Sequence, residues 1–130
     1  MVRLVAVGSA AATLGACIVA AAGAGAGGAL YVTSRGVESI VPASIELVAE
    51  STDRAFAEKG IIRSGLSVDD NREKRVIRGK PESGDPDVTV EMETQDSGST
   101  RIEVTARTSA LGWDKEYARA VLERIVELSS

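Results

Sequence analysis

The fold is decided by two short segments, residues 88–93 (VTVEME) and residues 101–107 (RIEVTAR), in which apolar and polar residues alternate without a break. A period of two is typical of β-strands that bury one face and leave the other in water. The sequence DSGS (96–99) between them is suited to a turn. We therefore expect an antiparallel hairpin with one wet face, on which acidic positions of one strand face basic positions of the other.

Three further extended segments are predicted around this hairpin. Residues 30–41 are rich in β-branched and aromatic residues, and Pro42 ends the run. Residues 61–68 and 75–80 form a second hairpin candidate across a polar turn. Together with the hairpin at 88–107, these segments predict a sheet of about five strands.

Two amphipathic helices complete the pattern. The first is predicted over residues 45–59, with Ser44 as its N-cap and Gly60 as its stop, and the second begins after Asp114 as N-cap. The order β-α-β-β-β-β-α predicts an α+β fold, an antiparallel sheet with both helices on one face. Six residues are expected to fill the space between the layers: Val48, Phe56, Met92, Val104, Val121 and Ile125.

An uncharged apolar segment, residues 4–32, precedes the folded part. It follows the basic start MVR, as in an export signal, and contains the sequence Leu14-Gly15-Ala16-Cys17. An aliphatic residue, two small residues and a Cys resemble the lipobox of bacterial lipoproteins, in which the Cys receives the lipid. We therefore predict a signal peptide at 1–16, an Ala/Gly-rich tether at 17–30, and one α+β domain at 31–130.

An uncleaved transmembrane helix is the alternative for this segment. Its length exceeds the roughly 20 apolar residues that span a bilayer. Residues 20–29 are Ala and Gly, which contribute little insertion free energy, so a covalent anchor at Cys17 is favoured. Gly23 and Gly27 form a G-x-x-x-G pair that favours close helix packing in membranes, whereas repeated Gly favours a flexible tether.

Composition limits the chemistry. The chain has 15 basic and 19 acidic residues, one Cys and no His. A mildly acidic chain with few aromatic residues has no electrostatic footprint for nucleic acid. We expect no disulfide, no metal site of Cys/His type and no cofactor. Without His there is no base to activate Ser64, Ser97 or Ser99, so we do not expect an enzyme.

Two weaker candidates remain. Asp69, Asp70 and Glu73 offer oxygen ligands for Ca²⁺, but the spacing lacks the order of a calcium loop, and a solvated turn fits better. Asp85 and Asp87 are interpreted in the same way. Trp113 is either an exposed binding anchor or, beside the N-cap, a hydrophobic staple; we expect the staple.

The chain combines five features in a fixed order: the lipobox, an Ala/Gly segment (20–29), Tyr31 in an extended segment, a Pro-Ala-Ser helix start (42–44) and a Gly-Trp-Asp helix start (112–114). In this combination the chain resembles a family of short bacterial envelope lipoproteins, the domain-of-unknown-function 3568 family. The resemblance covers nearly the full length. It implies a fold and a location at the cell envelope, and it implies no activity.

These observations favour a lipid-anchored envelope protein that is a non-catalytic binding or structural module. Its expected partners are the membrane, through the lipid, and an envelope protein or the cell wall, through the sheet or loops. The alternatives are a carrier of small apolar ligands and a single-span membrane protein. In similar lipoproteins of hosts with two membranes, an Asp after the lipidated Cys keeps the protein on the inner membrane. Because Ile18 follows Cys17 here, the resemblance implies delivery to the periplasmic face of the outer membrane.

Overall fold

The computed structural model describes residues 29–69, 73–96, 98–108 and 112–130. The predicted signal peptide, the lipobox and residues 17–28 of the tether lie outside this part of the chain, as do Asp70 and Ser97. Neither helix within it has the length and apolar content needed to cross a bilayer.

The described residues form one antiparallel sheet with two helices, which confirms the predicted α+β class. The elements in chain order are β1 Tyr31–Val32, β2 Gly36–Val41, α1 Ile45–Lys59, β3 Ile61–Val68, β4 Lys74–Pro81, β5 Asp87–Thr94, β6 Thr100–Thr108, β7 Gly112–Trp113 and α2 Lys115–Leu128. The strand order is β1-β2-β6-β5-β4-β3, and β7 pairs with β6. The sheet therefore has seven strands, two more than the five expected.

The additional strands are the two short ones. The segment predicted as one strand over 30–41 is divided into β1 and β2 by a hairpin whose two loop residues are Ser34 and Arg35. The Thr33 N–H donates to the Gly36 carbonyl at 2.8 Å, and the Gly36 N–H donates to Thr33 Oγ1 at 2.9 Å. Two-residue strands are too short to show a period, so the sequence pattern did not reveal them.

Both predicted helix starts, and the stop of α1, are confirmed. Ser44 Oγ accepts from the Leu47 N–H at 3.2 Å at the start of α1, and Asp114 Oδ1 accepts from the Tyr117 N–H at 3.0 Å at the start of α2. Gly60 ends α1 in the left-handed conformation, with φ of 69°. Each side-chain cap satisfies one backbone N–H group that has no partner within the helix.

The core lies between the helices and one face of the sheet. Val37, Val104, Val90 and Ile77 stand side by side across β2, β6, β5 and β4, and each is no more than 1% exposed. All six residues predicted for the core are at most 2% exposed and belong to one hydrophobic cluster. Both helices pack on this face, as predicted.

A surface ion pair joins the two helices at their exposed side. Arg124 on α2 donates from Nε to Glu58 Oε1 at 2.6 Å and from Nη2 to Glu58 Oε2 at 3.1 Å. These hydrogen bonds hold the pKa of the Glu58 carboxyl below its ordinary value. The pair is bidentate, which fixes the orientation of the two side chains.

The close approach of β2 to β6 requires glycine at position 36. A Cβ atom there would overlap the Val104 carbonyl oxygen of β6, whereas a Cβ at Gly65 would meet no atom nearer than 3.9 Å. We expect Gly36→Ala to lower the free energy of unfolding by about 2 kcal/mol or more, because a backbone atom of a central strand has to move. Gly65→Ala, the control, should change it by less than about 0.5 kcal/mol. Urea denaturation measures both; equal midpoints would contradict this packing.

Candidate functional site

The face of the sheet opposite the helices is polar. Along β5 and β6 the buried apolar residues alternate with half-buried polar ones, among them Thr89 and Glu91 on β5 and Glu103 and Thr105 on β6. Since successive side chains of a strand point to opposite faces, these polar residues lie on the side away from the helices. We call this side the outer face.

Three carboxylates form a row across the outer face. Glu38 on β2 stands opposite Glu103 on β6, and Glu103 stands opposite Glu91 on β5. Directly opposed residues have Cβ atoms about 4.5–5.5 Å apart, and like charges in such positions are destabilising. The row is therefore an unfavourable arrangement of charge in the middle of the sheet.

This row corrects part of the sequence prediction. The expected pairing of acidic with basic residues is present where Glu93 faces Arg101 and where Asp87 faces Arg107. It fails at the centre, where the register places Glu91 opposite Glu103. The alternation of apolar and polar residues specifies the face of the sheet on which a residue lies. It does not specify which residues of two strands face each other, because that register depends on the turn and on the packing of the core.

The three carboxylates of the row differ in their protein partners. Glu38 Oε1 lies 3.8 Å from Arg101 Nη1, and Glu103 Oε2 accepts a hydrogen bond from Thr33 Oγ1 at 3.3 Å. Glu91 forms no salt bridge with another residue in the described part of the chain. Negative charge is thus left available at Glu91 and Glu103.

Two arginines contact the ring of Trp113 at one end of the outer face. The Cζ atoms of Arg35 and Arg107 lie 5.5 Å and 5.6 Å from the centre of the ring. These are cation–π contacts, each worth about 0.5–1 kcal/mol at an exposed site. Neither guanidinium forms a salt bridge with any residue that the structure describes. Two cations therefore lie beside an exposed aromatic ring, and one carboxylate, that of Asp87, stands opposite Arg107 on β5.

The expected staple at Trp113 is wrong. β7 pairs Trp113 with Arg107, an outer-face residue of β6, so the indole lies on the outer face and is 38% exposed. The partner position of a staple, Ala118, is fully buried on the helix side. The short strand β7 thus brings Trp113 to the outer face immediately before α2 begins.

A shallow groove of about 210 Å³ connects these groups. We call it the outer groove; its lining consists of Arg35, Asp87, Thr89, Glu91, Glu103, Thr105, Arg107 and Trp113. The cation–aromatic cluster lies at one end, the two threonines face each other in the middle, and the two glutamates follow. Arg107 and Glu103 are four residues apart on one strand, which corresponds to about 13 Å.

The outer groove is suited to binding through charge and hydrogen bonds. In residues 29–69, 73–96, 98–108 and 112–130 no group of three His, Cys, Asp or Glu side chains is placed to hold a metal ion. Of the acidic turn considered for Ca²⁺, Asp69 Oδ1 accepts from the Glu73 N–H at 3.2 Å, which is a turn contact. Asp85 and Asp87 are exposed.

Sequence reasoning located part of this groove. Alternation placed Glu91, Glu103 and Arg107 on a wet strand face, and Trp113 was considered as a binding anchor. Arg35 was missed because its approach to Trp113 requires the β1–β2 turn and the β6–β7 pairing together. Arg35-Gly36 directly after Thr33-Ser34 was the available signal for that turn.

The site predicted from the N-terminal sequence, Cys17 with Leu14, Gly15 and Ala16, lies outside the described residues and stays a prediction. Among curated proteins, none matches the chain significantly. The sequence model of a family described as "Protein of unknown function (DUF3568)" matches residues 1–127. This match spans nearly the whole chain, which therefore belongs to the DUF3568 family.

Proposed function

We propose that this protein is a lipid-anchored component of a bacterial cell envelope, and that it acts without catalysis by binding a charged, polar partner in the outer groove. The observation that carries this proposal is the pair of charge clusters in the groove: Arg35 and Arg107 beside Trp113 at one end, where Asp87 opposite Arg107 offsets part of the positive charge, and Glu91 and Glu103 at the other. None of these four side chains forms a salt bridge with another residue that the structure describes, so their charge remains available to a partner.

The anchor is proposed from the sequence Leu14-Gly15-Ala16-Cys17 after an apolar export segment. Cleavage before Cys17 and acylation of its thiol would leave about a dozen residues, rich in Ala and Gly, between the lipid and β1. One acyl chain gives marginal membrane binding, and several chains give a stable anchor. With Ile18 after Cys17, the proposed location is the periplasmic face of the outer membrane where the host has two membranes.

Two alternatives are less well supported. A carrier of small apolar ligands needs an apolar cavity between helices and sheet. The six residues that would line such a cavity are at most 2% exposed and pack in one cluster, which argues against it. A single-span protein would retain residues 4–16. In that alternative an uncleaved helix anchors the same α+β domain to the membrane in place of the lipid.

We expect Cys17→Ser to abolish acyl incorporation and to leave an uncleaved precursor, because the thiol is both the lipid acceptor and the residue next to the cleavage point. Metabolic labelling with a palmitate analogue and intact-mass spectrometry measure both effects. Ser9→Ala, inside the apolar segment, is the control and should be processed normally. An unmodified wild-type chain that still carries residues 4–16 would contradict the lipid anchor and favour the single-span alternative.

Binding to the purified envelope fraction of the host tests the outer groove. We expect Arg107→Glu to weaken co-sedimentation at least about tenfold, since it reverses charge beside Trp113. Lys115→Glu, the control, makes the same charge change at an exposed position of α2, and we expect this variant to bind like the wild type. Both variants should show cooperative urea unfolding, which excludes misfolding as the cause. Equal loss in the two variants would show that binding depends on net charge and not on this face.

A further inference from the structure

The outer groove has two arginines at one end, offset in part by Asp87, and two glutamates at the other, and this net polarity defines a class of ligand. We propose that the groove binds a short extended peptide whose carboxylate lies at Arg35 and Arg107 and whose ammonium group lies at Glu91 and Glu103. This inference rests on the binding role proposed for the same groove and specifies the chemistry of the partner.

The anionic end of the ligand is assigned from the two guanidiniums. Both lie against one indole ring, at 5.5 Å and 5.6 Å, so the aromatic contact restricts their positions. A guanidinium presents paired N–H donors that match the two oxygens of a carboxylate. Neither Arg35 nor Arg107 uses these donors in a salt bridge to another described residue. A ligand carboxylate would therefore meet two cations, Arg35 and Arg107, against one carboxylate, Asp87, at this end of the groove.

The cationic end is assigned from the two opposed glutamates. Glu91 and Glu103 face each other across β5 and β6, and Glu38 stands on the far side of Glu103. A ligand ammonium group between Glu91 and Glu103 would replace like-charge repulsion with attraction to both carboxylates. The Thr33 hydroxyl, 3.3 Å from Glu103 Oε2, holds that carboxylate at the groove.

The middle of the groove favours a peptide over other zwitterions. Thr89 and Thr105 are direct partners on the two strands and line the groove. Each hydroxyl can donate and accept a hydrogen bond, as the N–H and C=O groups of a peptide require. The charged ends are separated by about 13 Å, the length of about four residues of extended chain. A neutral sugar would offer hydrogen bonds to both ends but an opposite charge to neither.

Fluorescence of the full-length protein measures this binding directly, because Trp113 is the only tryptophan in the chain. The probe is the acetylated tetrapeptide Ac-Lys-Ala-Ala-Ala with a free carboxylate. We expect a saturable change in emission. The C-terminal amide, and the peptide with Gln in place of Lys, should each bind at least about tenfold more weakly, because each leaves one charged end unpaired. Inorganic phosphate should compete only weakly, since it occupies one end.

Charge-removing variants assign each end of the peptide. In Arg107→Gln the preference for the acid over the amide peptide should fall, with Arg35 keeping part of it. In Glu91→Gln the preference for the Lys over the Gln peptide should fall, with Glu103 keeping part of it; isothermal titration calorimetry gives the affinities. Glu116→Gln, exposed on α2, is the control and should keep both preferences. Urea denaturation checks that each variant is folded, so that a lost preference reports on the groove.

The outcomes separate the inference from the proposed function. Equal binding of the acid and amide peptides by the wild type, or phosphate that competes as strongly as the peptide, would overturn the peptide assignment. If the envelope fraction still binds in an Arg107-dependent way, the binding face stands although the peptide assignment has failed. If neither the envelope fraction nor the peptide binds, both proposals fail.

Discussion

The structure depends on the coverage of the sheet by helices on one face alone. The inward valines Val37, Val104 and Val90 stand in line across three strands, and burying that line against α1 and α2 fixes the register of the sheet. Because side chains alternate between faces, the same register fixes which polar residues meet on the outer face. The core thus determines the arrangement of charge on the side that it does not touch.

That arrangement of charge includes one pair of residues that lowers the stability of the fold. Placing Glu91 next to Glu103 opposes two like charges, although Glu93 and Asp87 on the same strand face arginines. Proteins break such local rules mostly where binding or catalysis benefits from it. Here the unfavourable pair lies in the outer groove, at the opposite end from the cation–aromatic cluster. This unfavourable pair is where the proposed binding of a charged partner would be most favourable, because a cation placed there would meet two carboxylates.

The sequence predicted the regular elements well and the groove in part. Caps at Ser44 and Asp114 located both helix starts, and strict alternation located β5 and β6. The short strands β1 and β7 could not be predicted, because two residues have no period and their pairing depends on the rest of the sheet. For that reason the sequence pattern favours a hydrophobic staple at Trp113 and does not predict the approach of Arg35 to its ring.

The central claim, that the outer face keeps an unfavourable carboxylate pair, is tested most directly by the free energies of unfolding of Glu91→Gln and Glu93→Gln, measured in urea. Both changes remove one negative charge from β5, but Glu91 faces Glu103, whereas Glu93 faces Arg101 and Lys74. The account predicts that Glu91→Gln raises the free energy of unfolding by about 0.2–1 kcal/mol and that Glu93→Gln lowers it by a similar amount. A Glu91→Gln variant no more stable than the wild type would contradict the account.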